Sequence, residues 1–317
     1  MRLSTLVFAL SILFISLHPC EAQLTEVQER TIDSLFLDWD TPNHPGGAIG
    51  IMKKGEIVYH KAFGLSSMEY LVSNSNNTVY NIASVSKQFT AMAIVLLENE
   101  GVLSLDDDVR LYLPWLPDFG EKITLRQMLN HTSGMRSLHA LLALAGWRSD
   151  DGRTNADIDR FMKQQTALNF APGSEYLYCN TGFMLMADII EDKTGQSFPE
   201  YMKQHIFEPL GMAHTYVEPD YARIVPGNAT SYNGSKADGF DQAIPYWGYV
   251  GSGNMHSTTA DLLLWLENFV EPAAGWDVAF EKLQVNGLLI NGESISYALG
   301  VNVGAVSYTH LRAHETR

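Results

Sequence analysis

The sequence predicts an α+β fold, in which an antiparallel sheet is flanked by helices and joined to a mostly helical second subdomain. Strand-like segments occur near both ends of the chain, and helical patterns fill the middle. The 317 residues are enough for one large domain or two modest ones with an apolar core. A sheet built from the two chain ends, with a helical insertion at about residues 110–240, is the economical arrangement for this order of elements.

The N-terminus has the pattern of a signal peptide. Arg2 precedes an apolar run, and a segment with small residues ends at Ala22. The run is shorter than the roughly 20 residues that a membrane-spanning helix needs. We therefore expect cleavage after Ala22, no stable membrane anchor, and a secreted or periplasmic protein. A lipid-modified Cys20 is the alternative, but the residues before it are bulkier than such a site prefers.

Composition excludes several classes of function. The net charge of −15 belongs to the mature chain, because Arg2 and Glu21 cancel, and it argues against nucleic acid as a partner. Only Cys179 remains after cleavage, so no intrachain disulfide can form. There is no H-E-x-x-H motif, no zinc-like histidine spacing and no glycine-rich phosphate loop. We expect neither a metal nor a cofactor.

The secondary structure follows from local patterns. From Gly46 to Gly64, two apolar runs divided by a Lys-Lys-Gly segment predict a β-hairpin. The β-branched segment Ile295–Val306 predicts a strand at the other end of the chain. Apolar residues three and four apart predict helices over Ser84–Asn99, Leu125–Asn130, Asp157–Gln165, Thr181–Thr194, Phe198–Ile206 and Thr258–Phe269.

The most informative motif is S-V-S-K, from Ser84 to Lys87, at the start of an almost wholly apolar helical run. Residues three apart share a helix face, so the Lys87 amine can reach the Ser84 hydroxyl. A desolvated lysine loses its proton more easily and can act as a base toward a serine nucleophile. Free backbone N–H groups at the helix start also suit an acyl oxyanion. A capping serine followed by a surface lysine is the alternative, but the apolar helix favours a buried Lys87.

A second motif, Y-C-N from Tyr178 to Asn180, follows a Pro-Gly turn and precedes a helical run. In an extended segment, residues two apart face the same side, so the phenol and the carboxamide could both point into a cleft. There Tyr178 would relay protons and Asn180 would bind a substrate amide. The alternatives are a half-buried aromatic residue and a helix N-cap.

Together these motifs give the chain a resemblance to the serine β-lactamase-related family, which includes penicillin-binding proteins, class C β-lactamases, D,D-peptidases and esterases. The resemblance runs from the Gly46 hairpin to about Val306. It includes L-R-Q-M-L-N-H-T-S-G at residues 125–134 and V-G-S-G-N-M-H-S-T-T-A-D-L at residues 250–262. It implies a β-lactamase/transpeptidase-like fold.

The resemblance also implies a role for each motif residue. Ser84 would attack a carbonyl and Lys87 would accept its proton. Tyr178 would assist protonation of the leaving group and activate the deacylating water, and Asn180 would hold the substrate amide. His131, in the H-T-S-G loop, would be structural rather than catalytic.

The family's third motif is a Lys- or His-x-Gly on an edge strand, and no such string follows the segment Ile295–Val306, where the motif is expected. His310 is followed by Leu311 and Arg312 instead of reaching a glycine. We therefore expect residues 23–306 to form the hydrolase domain and residues 307–317 to be an aberrant or truncated tail. The last strand and the C-terminal helix of the fold would be missing.

The leading hypothesis is hydrolysis of a small amide or ester through an acyl-enzyme. The substrate would be a small molecule or peptidoglycan-like, such as a β-lactam, a D-amino-acid peptide or a carboxylic ester. The alternative, suggested by the missing third motif, is a noncatalytic cell-wall or ligand-binding homologue. The oligomeric state is left open by the sequence.

Overall fold

The computed structural model describes residues 23–148, 150–243 and 246–304. The predicted signal peptide and the predicted tail at residues 307–317 lie outside the described residues. Within the described part, no helix has the length and apolar character needed to cross a membrane.

Helices make up much of the described chain. Six of them, α2, α3 and α5–α8, confirm the six predicted runs with shifted ends. A short 3-10 helix at Ala83–Val85 leads into α2, and a π-helical turn at Lys203–Phe207 continues α7. The α-helices are α1 (Glu26–Ser34), α2 (Ser86–Asn99), α3 (Leu125–Leu129), α4 (Leu138–Leu144), α5 (Asn155–Met162), α6 (Asn180–Thr194), α7 (Phe198–Met202), α8 (Thr259–Glu267) and α9 (Asp277–Leu283).

The strands are short and antiparallel. In the described residues they form two-stranded pairs β1–β2, β3–β4 and β7–β8, and a three-stranded sheet of order β5-β9-β6. The strands are β1 (Gly47–Lys53), β2 (Glu56–Phe63), β3 (Leu65–Ser67), β4 (Val72–Ser73), β5 (Tyr80–Asn81), β6 (Tyr216–Val217), β7 (Tyr232–Ser235), β8 (Gly239–Gln242) and β9 (Met255–Ser257). This mixture confirms the predicted α+β class.

The predicted hairpin is confirmed as β1 and β2, which pair from Gly47 opposite Phe63. Its turn takes positive φ at Lys54 (53°) and Gly55 (76°), as the Lys-Lys-Gly segment suggested. The hairpin packs on α8 with very little space: a Cβ at Gly50 would lie 2.7 Å from the Leu263 side chain. A glycine at this strand position therefore lets the helix approach the hairpin closely.

The apolar core is built around α2 and α6. Side chains of α2 such as Phe89 and Ile94 are fully buried, as are Phe183 and Ile189 of α6. Both helices are apolar around most of their circumference, which is typical of helices enclosed by other elements. The first turn of α2, where Lys87 lies, is therefore inside the protein.

The strand predicted for Ile295–Val306 is wrong over residues 295–304. These residues contain an isolated bridge between Tyr297 and Asn302 and a turn in which the Ala298 N–H donates to the Val301 carbonyl at 2.8 Å. Gly300 lies in this turn with φ 76°, and a Cβ there would lie 2.7 Å from the Lys87 carbonyl oxygen. Contact with α2 selects a turn where the local β-branched pattern favoured a strand, so the described part of the chain has no sheet built from both ends.

The middle of the chain is mostly helical, as expected. Residues 110–240 contain α3 to α7, but also the strands β6 and β7 and the start of β8. The limits given to the helical insertion, like the other domain boundaries, stay a prediction.

Candidate active site

The loop that carries Ser84 is held by backbone pairing. Strand β5 ends at Asn81, and its partner β9 begins at Met255, directly after the glycine-rich segment at residues 250–254. The Ile82 N–H donates to the Met255 carbonyl at 2.9 Å. Pairing of β5 with β9 therefore places Ser84 beside the glycine-rich segment, although about 170 residues separate them in the chain.

Ser84 and Lys87 are in direct contact. The Lys87 Nζ lies 3.1 Å from the Ser84 Oγ and 2.7 Å from the Ser252 carbonyl oxygen. Ala83, just before Ser84, takes a positive φ of 46°, which is unusual for a residue with a side chain. The motif prediction that the two side chains meet across one helical turn is confirmed by this distance.

Lys87 is completely buried, with 0 % of its surface exposed. Its amine lies 4.9 Å from the centre of the Tyr178 ring and 5.6 Å from that of Phe183. Burial lowers the pKa of Lys87 from 10.5 to about 7, because the charged form loses its hydration. Near neutral pH a large share of this amine is unprotonated and able to accept the proton of Ser84.

Tyr178 contacts the same hydroxyl from the other side. Its phenol donates to the Ser84 Oγ at 2.9 Å. Burial raises the pKa of Tyr178 to about 12, so the phenol keeps its proton at neutral pH. Ser84 thus lies between a buried amine and a protonated phenol.

Within the described residues, Asn180 lies in the same region but is not hydrogen-bonded to these three residues. It is the first residue of α6 and lines a cavity of about 800 Å³ that Ser84 also lines. In the part of the chain that the structure describes, no hydrogen bond joins Asn180 to Ser84, Lys87 or Tyr178. Cys179 between the two motif residues is extended (φ −139°, ψ 116°), so the predicted extended segment ends where the helix begins.

His131 lies behind Tyr178, as a structural residue would. Its ring is buried, with its centre 4.3 Å from that of Tyr178, and its Nδ1 accepts from the Cys179 N–H at 3.1 Å. Tyr297 also packs against the His131 ring, with the two ring centres 4.5 Å apart. The H-T-S-G loop therefore supports the segment that carries Tyr178.

The glycine-rich segment closes the site opposite α2. Thr90 donates to the Gly251 carbonyl at 2.7 Å, one turn after Lys87 donates to that of Ser252. Gly251 has φ 87°, and a Cβ there would lie 2.2 Å from the Phe183 carbonyl oxygen. Only glycine fits between α6 and this turn.

Sequence reasoning missed one wall of the cavity. Arg153, His139, Trp247 and Glu218 line it together with Ser84. They come from separate loops and helices, and Arg153 lies in the charged stretch Arg148–Arg153, which is typical of a surface turn. No local signal marks these residues, since only the tertiary fold brings them together.

Comparison with known proteins agrees with this geometry. A family model described as Beta-lactamase matches residues 33–312, which is most of the chain. The chain belongs to the beta-lactamase family. The earlier resemblance, drawn from motifs, is confirmed by this match.

Two relatives are similar over much of this chain. Penicillin-binding protein 4* of Bacillus subtilis is 31% identical over 291 residues, covering 86% of this chain and 63% of its own length. A D-aminopeptidase of Brucella anthropi is 30% identical, covering 86% of this chain and 52% of its own length. The chain thus spans between about half and two thirds of the length of these relatives.

Solved structures have the same fold as this beta-lactamase-family chain. An octameric penicillin-binding protein homologue from Pyrococcus abyssi superposes with a TM-score of 0.73 at 29% identity, covering 88% of this chain and 65% of its own. A D-amino acid amidase from Ochrobactrum anthropi superposes with a TM-score of 0.69 at 22% identity, covering 85% and 79%. At the lower identity the likeness concerns the fold alone.

Proposed function

We propose that this chain is a serine hydrolase that cleaves a small amide or ester through an acyl-enzyme, with Ser84 as nucleophile. One observation carries the proposal: the Ser84 Oγ lies within hydrogen-bond distance of both the buried Lys87 amine and the Tyr178 phenol. A nucleophile beside a base whose pKa is near the working pH is the arrangement that covalent catalysis needs.

Acylation follows from this geometry. The unprotonated Lys87 accepts the Ser84 proton while the Oγ attacks the substrate carbonyl, and the bond to the leaving group then breaks. Tyr178, which keeps its own proton at neutral pH, donates to the departing nitrogen or oxygen. It regains a proton from Lys87, so that the pair moves one proton from the nucleophile to the leaving group.

Deacylation uses the same two groups in reverse. Water attacks the acyl-enzyme carbonyl, its proton passes to the Lys87–Tyr178 pair, and Ser84 leaves as the restored hydroxyl. Asn180, at the start of α6 in the cavity wall, would hold the substrate amide during both steps. Its half-buried position leaves the carboxamide accessible to a ligand.

The substrate class is proposed from the cavity and the relatives. A volume of about 800 Å³ is within the range of small-molecule sites. The relatives are named as a penicillin-binding protein and D-aminopeptidases. We therefore propose a D-amino-acid peptide or amide, a β-lactam or a carboxylic ester, which all present an acyl carbonyl to the serine.

A labelling experiment tests the nucleophile. A fluorescent fluorophosphonate or penicillin should label the wild-type protein and fail to label Ser84→Ala. Ser137→Ala is the matched control, because this serine precedes α4 without a side-chain capping bond, and it should be labelled like the wild type. Full labelling of Ser84→Ala would refute the assignment, whereas labelling with no turnover of any ester, peptide or lactam would favour a noncatalytic binding protein.

We also propose that the protein is secreted or periplasmic after cleavage at Ala22. The support is the signal-like pattern of the first 22 residues. N-terminal sequencing of the protein recovered outside the cytoplasm should begin at Gln23, and a chain that retains Met1 would contradict the proposal.

A further inference from the structure

The cavity that Ser84 lines has a second polar feature, the guanidinium of Arg153. This side chain is only 6 % exposed, yet it forms part of the cavity wall. Its backbone is fixed from both sides, because its N–H donates to the Tyr246 carbonyl at 3.0 Å and its carbonyl accepts from the Gly248 N–H at 2.6 Å. Arg153 is therefore held in place rather than swinging on a free loop.

The contacts of the guanidinium are all to neutral groups. One Nη lies 3.0 Å from the His139 Nδ1, the other donates to the Arg148 carbonyl at 2.7 Å, and the plane lies 5.4 Å from the Trp247 ring centre. Its Nε–H is buried without a hydrogen-bond partner. Among the residues that the structure describes, Arg153 forms no ion pair with a carboxylate.

The neighbouring ionisable groups do not supply the missing charge. Burial, reinforced by the positive charges of Arg153 and Lys87, lowers the pKa of His139 to about 4, so this imidazole is neutral. Glu218 lines the same cavity, but its carboxylate lies 3.6 Å from Arg223, a more exposed arginine. The positive charge of Arg153 thus stands without an acidic partner.

Such an arrangement is costly for the free protein. A buried cation without a carboxylate loses hydration and gains little in return. The chain has a net charge of −15, so acidic residues are abundant, and yet Arg153 has no carboxylate partner in the described part of the chain. The planar guanidinium is well suited to a carboxylate, which it can bind with two parallel N–H donors.

We propose that Arg153 binds a carboxylate carried by the substrate, and so makes the enzyme selective for acidic acyl compounds. The inference rests on the proposed function for the identity of the substrate, but the carboxylate site itself does not require turnover. Arg153 and Ser84 line the same cavity, so the proposed carboxylate site and the proposed nucleophile face one binding space.

Binding is measured first, with pentanoate and 1-pentanol, two ligands that contain no amide or ester bond and differ by one negative charge. Ligand-observed NMR on the wild-type protein should show at least about tenfold tighter binding of pentanoate. Arg153→Gln should abolish the preference and Arg153→Lys should keep part of it. Arg223→Gln is the control, since this arginine lines the same cavity with a side chain 71% exposed, and it should keep the full preference.

Two outcomes overturn the proposal: equal binding of the two ligands by the wild-type protein, or an unchanged preference in a folded Arg153→Gln. Should Arg153→Gln fail to fold, the wild-type preference and Arg153→Lys still decide.

A matched pair of esters, 4-nitrophenyl hemiglutarate and 4-nitrophenyl butyrate, distinguishes the failure of the carboxylate site from the failure of the proposed hydrolase. Charge-selective binding without hydrolysis of either ester refutes the hydrolase and keeps the carboxylate site; hydrolysis without charge-selective binding does the opposite.

Discussion

Two buried basic side chains differ in what burial does to them: Lys87, which contacts Ser84 in the cavity wall, and Arg153, which itself lines the same cavity. Lys87 is 0 % exposed and Arg153 is 6 % exposed, and each lies over an aromatic ring. Each donates to a backbone carbonyl at 2.7 Å. The surroundings are similar, but the chemical groups are not.

An amine can escape the cost of burial by releasing its proton, whereas a guanidinium stays charged at any pH that a folded protein tolerates. The pKa of Lys87 accordingly falls to about 7. Arg153 keeps its charge and stays available to an anion. One environment therefore produces a base at one position and a permanent cation at the other, and the difference comes from the side chain alone.

The largest effect is expected from Lys87→Arg, which places at residue 87 the same side chain as at residue 153. Lys87→Arg keeps the positive charge but removes the group that can accept a proton, so kcat/KM for an ester should fall about a thousandfold or more, as when an activated nucleophile loses its base. Lys87→Met should lose activity to a similar extent. Steady-state kinetics with 4-nitrophenyl butyrate measure both, and an active Lys87→Arg would show that Lys87 is not the base.

Tyr178→Phe tests the proposed proton donor, whose ring lies beside the Lys87 amine and has no counterpart of this role at Arg153. Loss of the phenol should lower kcat by about a hundredfold, because proton transfer to the leaving group becomes slow. Labelling by a fluorophosphonate should persist, since Ser84 and Lys87 remain in contact. Unchanged turnover would assign Tyr178 a packing role only.

The pH profile reports which of the two cations titrates. The base must be unprotonated, so kcat/KM should fall about tenfold per pH unit below the Lys87 pKa of about 7. Tyr178, with a pKa of about 12, should give no descending limb below about pH 10. An ascending limb near pH 10 would mean that Lys87 is solvated.

The burial of Lys87 also predicts that Lys87→Met, which lowers activity, raises the free energy of unfolding at low pH. Between about pH 7 and 10.5 the unfolded chain binds a proton at Lys87 that the folded chain does not, so the stability of the wild type rises with pH across this window. Lys87→Met removes this dependence and should be more stable than the wild type below pH 7. Urea unfolding at pH 6, 8 and 10 measures the difference, which should shrink as the pH rises.

A smaller effect is expected at the turn that accepts the Lys87 hydrogen bond. Gly251→Ala places a Cβ 2.2 Å from the Phe183 carbonyl oxygen and should lower the free energy of unfolding by about 3 kcal/mol. Gly195→Ala, also at positive φ but with no atom within 4 Å, should lose only about 1 kcal/mol. Equal losses in thermal or urea unfolding would show that backbone conformation alone, and not the contact with α6, requires glycine.

The sequence was informative wherever short-range patterns determine the result. The contact of Ser84 with Lys87 follows from helical periodicity, and the hairpin of β1 and β2 follows from two apolar runs around a turn. Tyr178 was placed correctly beside Ser84 only because the family resemblance linked two motifs 94 residues apart. Composition and spacing alone could not join them.

Other features depend on contacts that no local pattern encodes. The strand predicted at residues 295–304 is replaced by a turn because Gly300 packs against the Lys87 backbone. Arg153 stands in a charged segment that is typical of solvent-exposed turns, yet the fold encloses it. Helix α4 is short, and its seven residues lack the length on which a periodicity can be recognised.

The hydrogen bond from Lys87 to the Ser252 carbonyl has a stereochemical consequence. A neutral amine has two N–H bonds and one lone pair, and the carbonyl at 2.7 Å engages one of those N–H bonds. With Thr90 holding the adjacent carbonyl of Gly251, this acceptor cannot rotate away from α2. The glycine-rich turn thereby restricts the torsional freedom of the amine, which lies 3.1 Å from the Ser84 Oγ. Because the Ser84 oxygen already accepts from Tyr178, the lone pair of the unprotonated amine is the acceptor within reach of the Ser84 hydrogen.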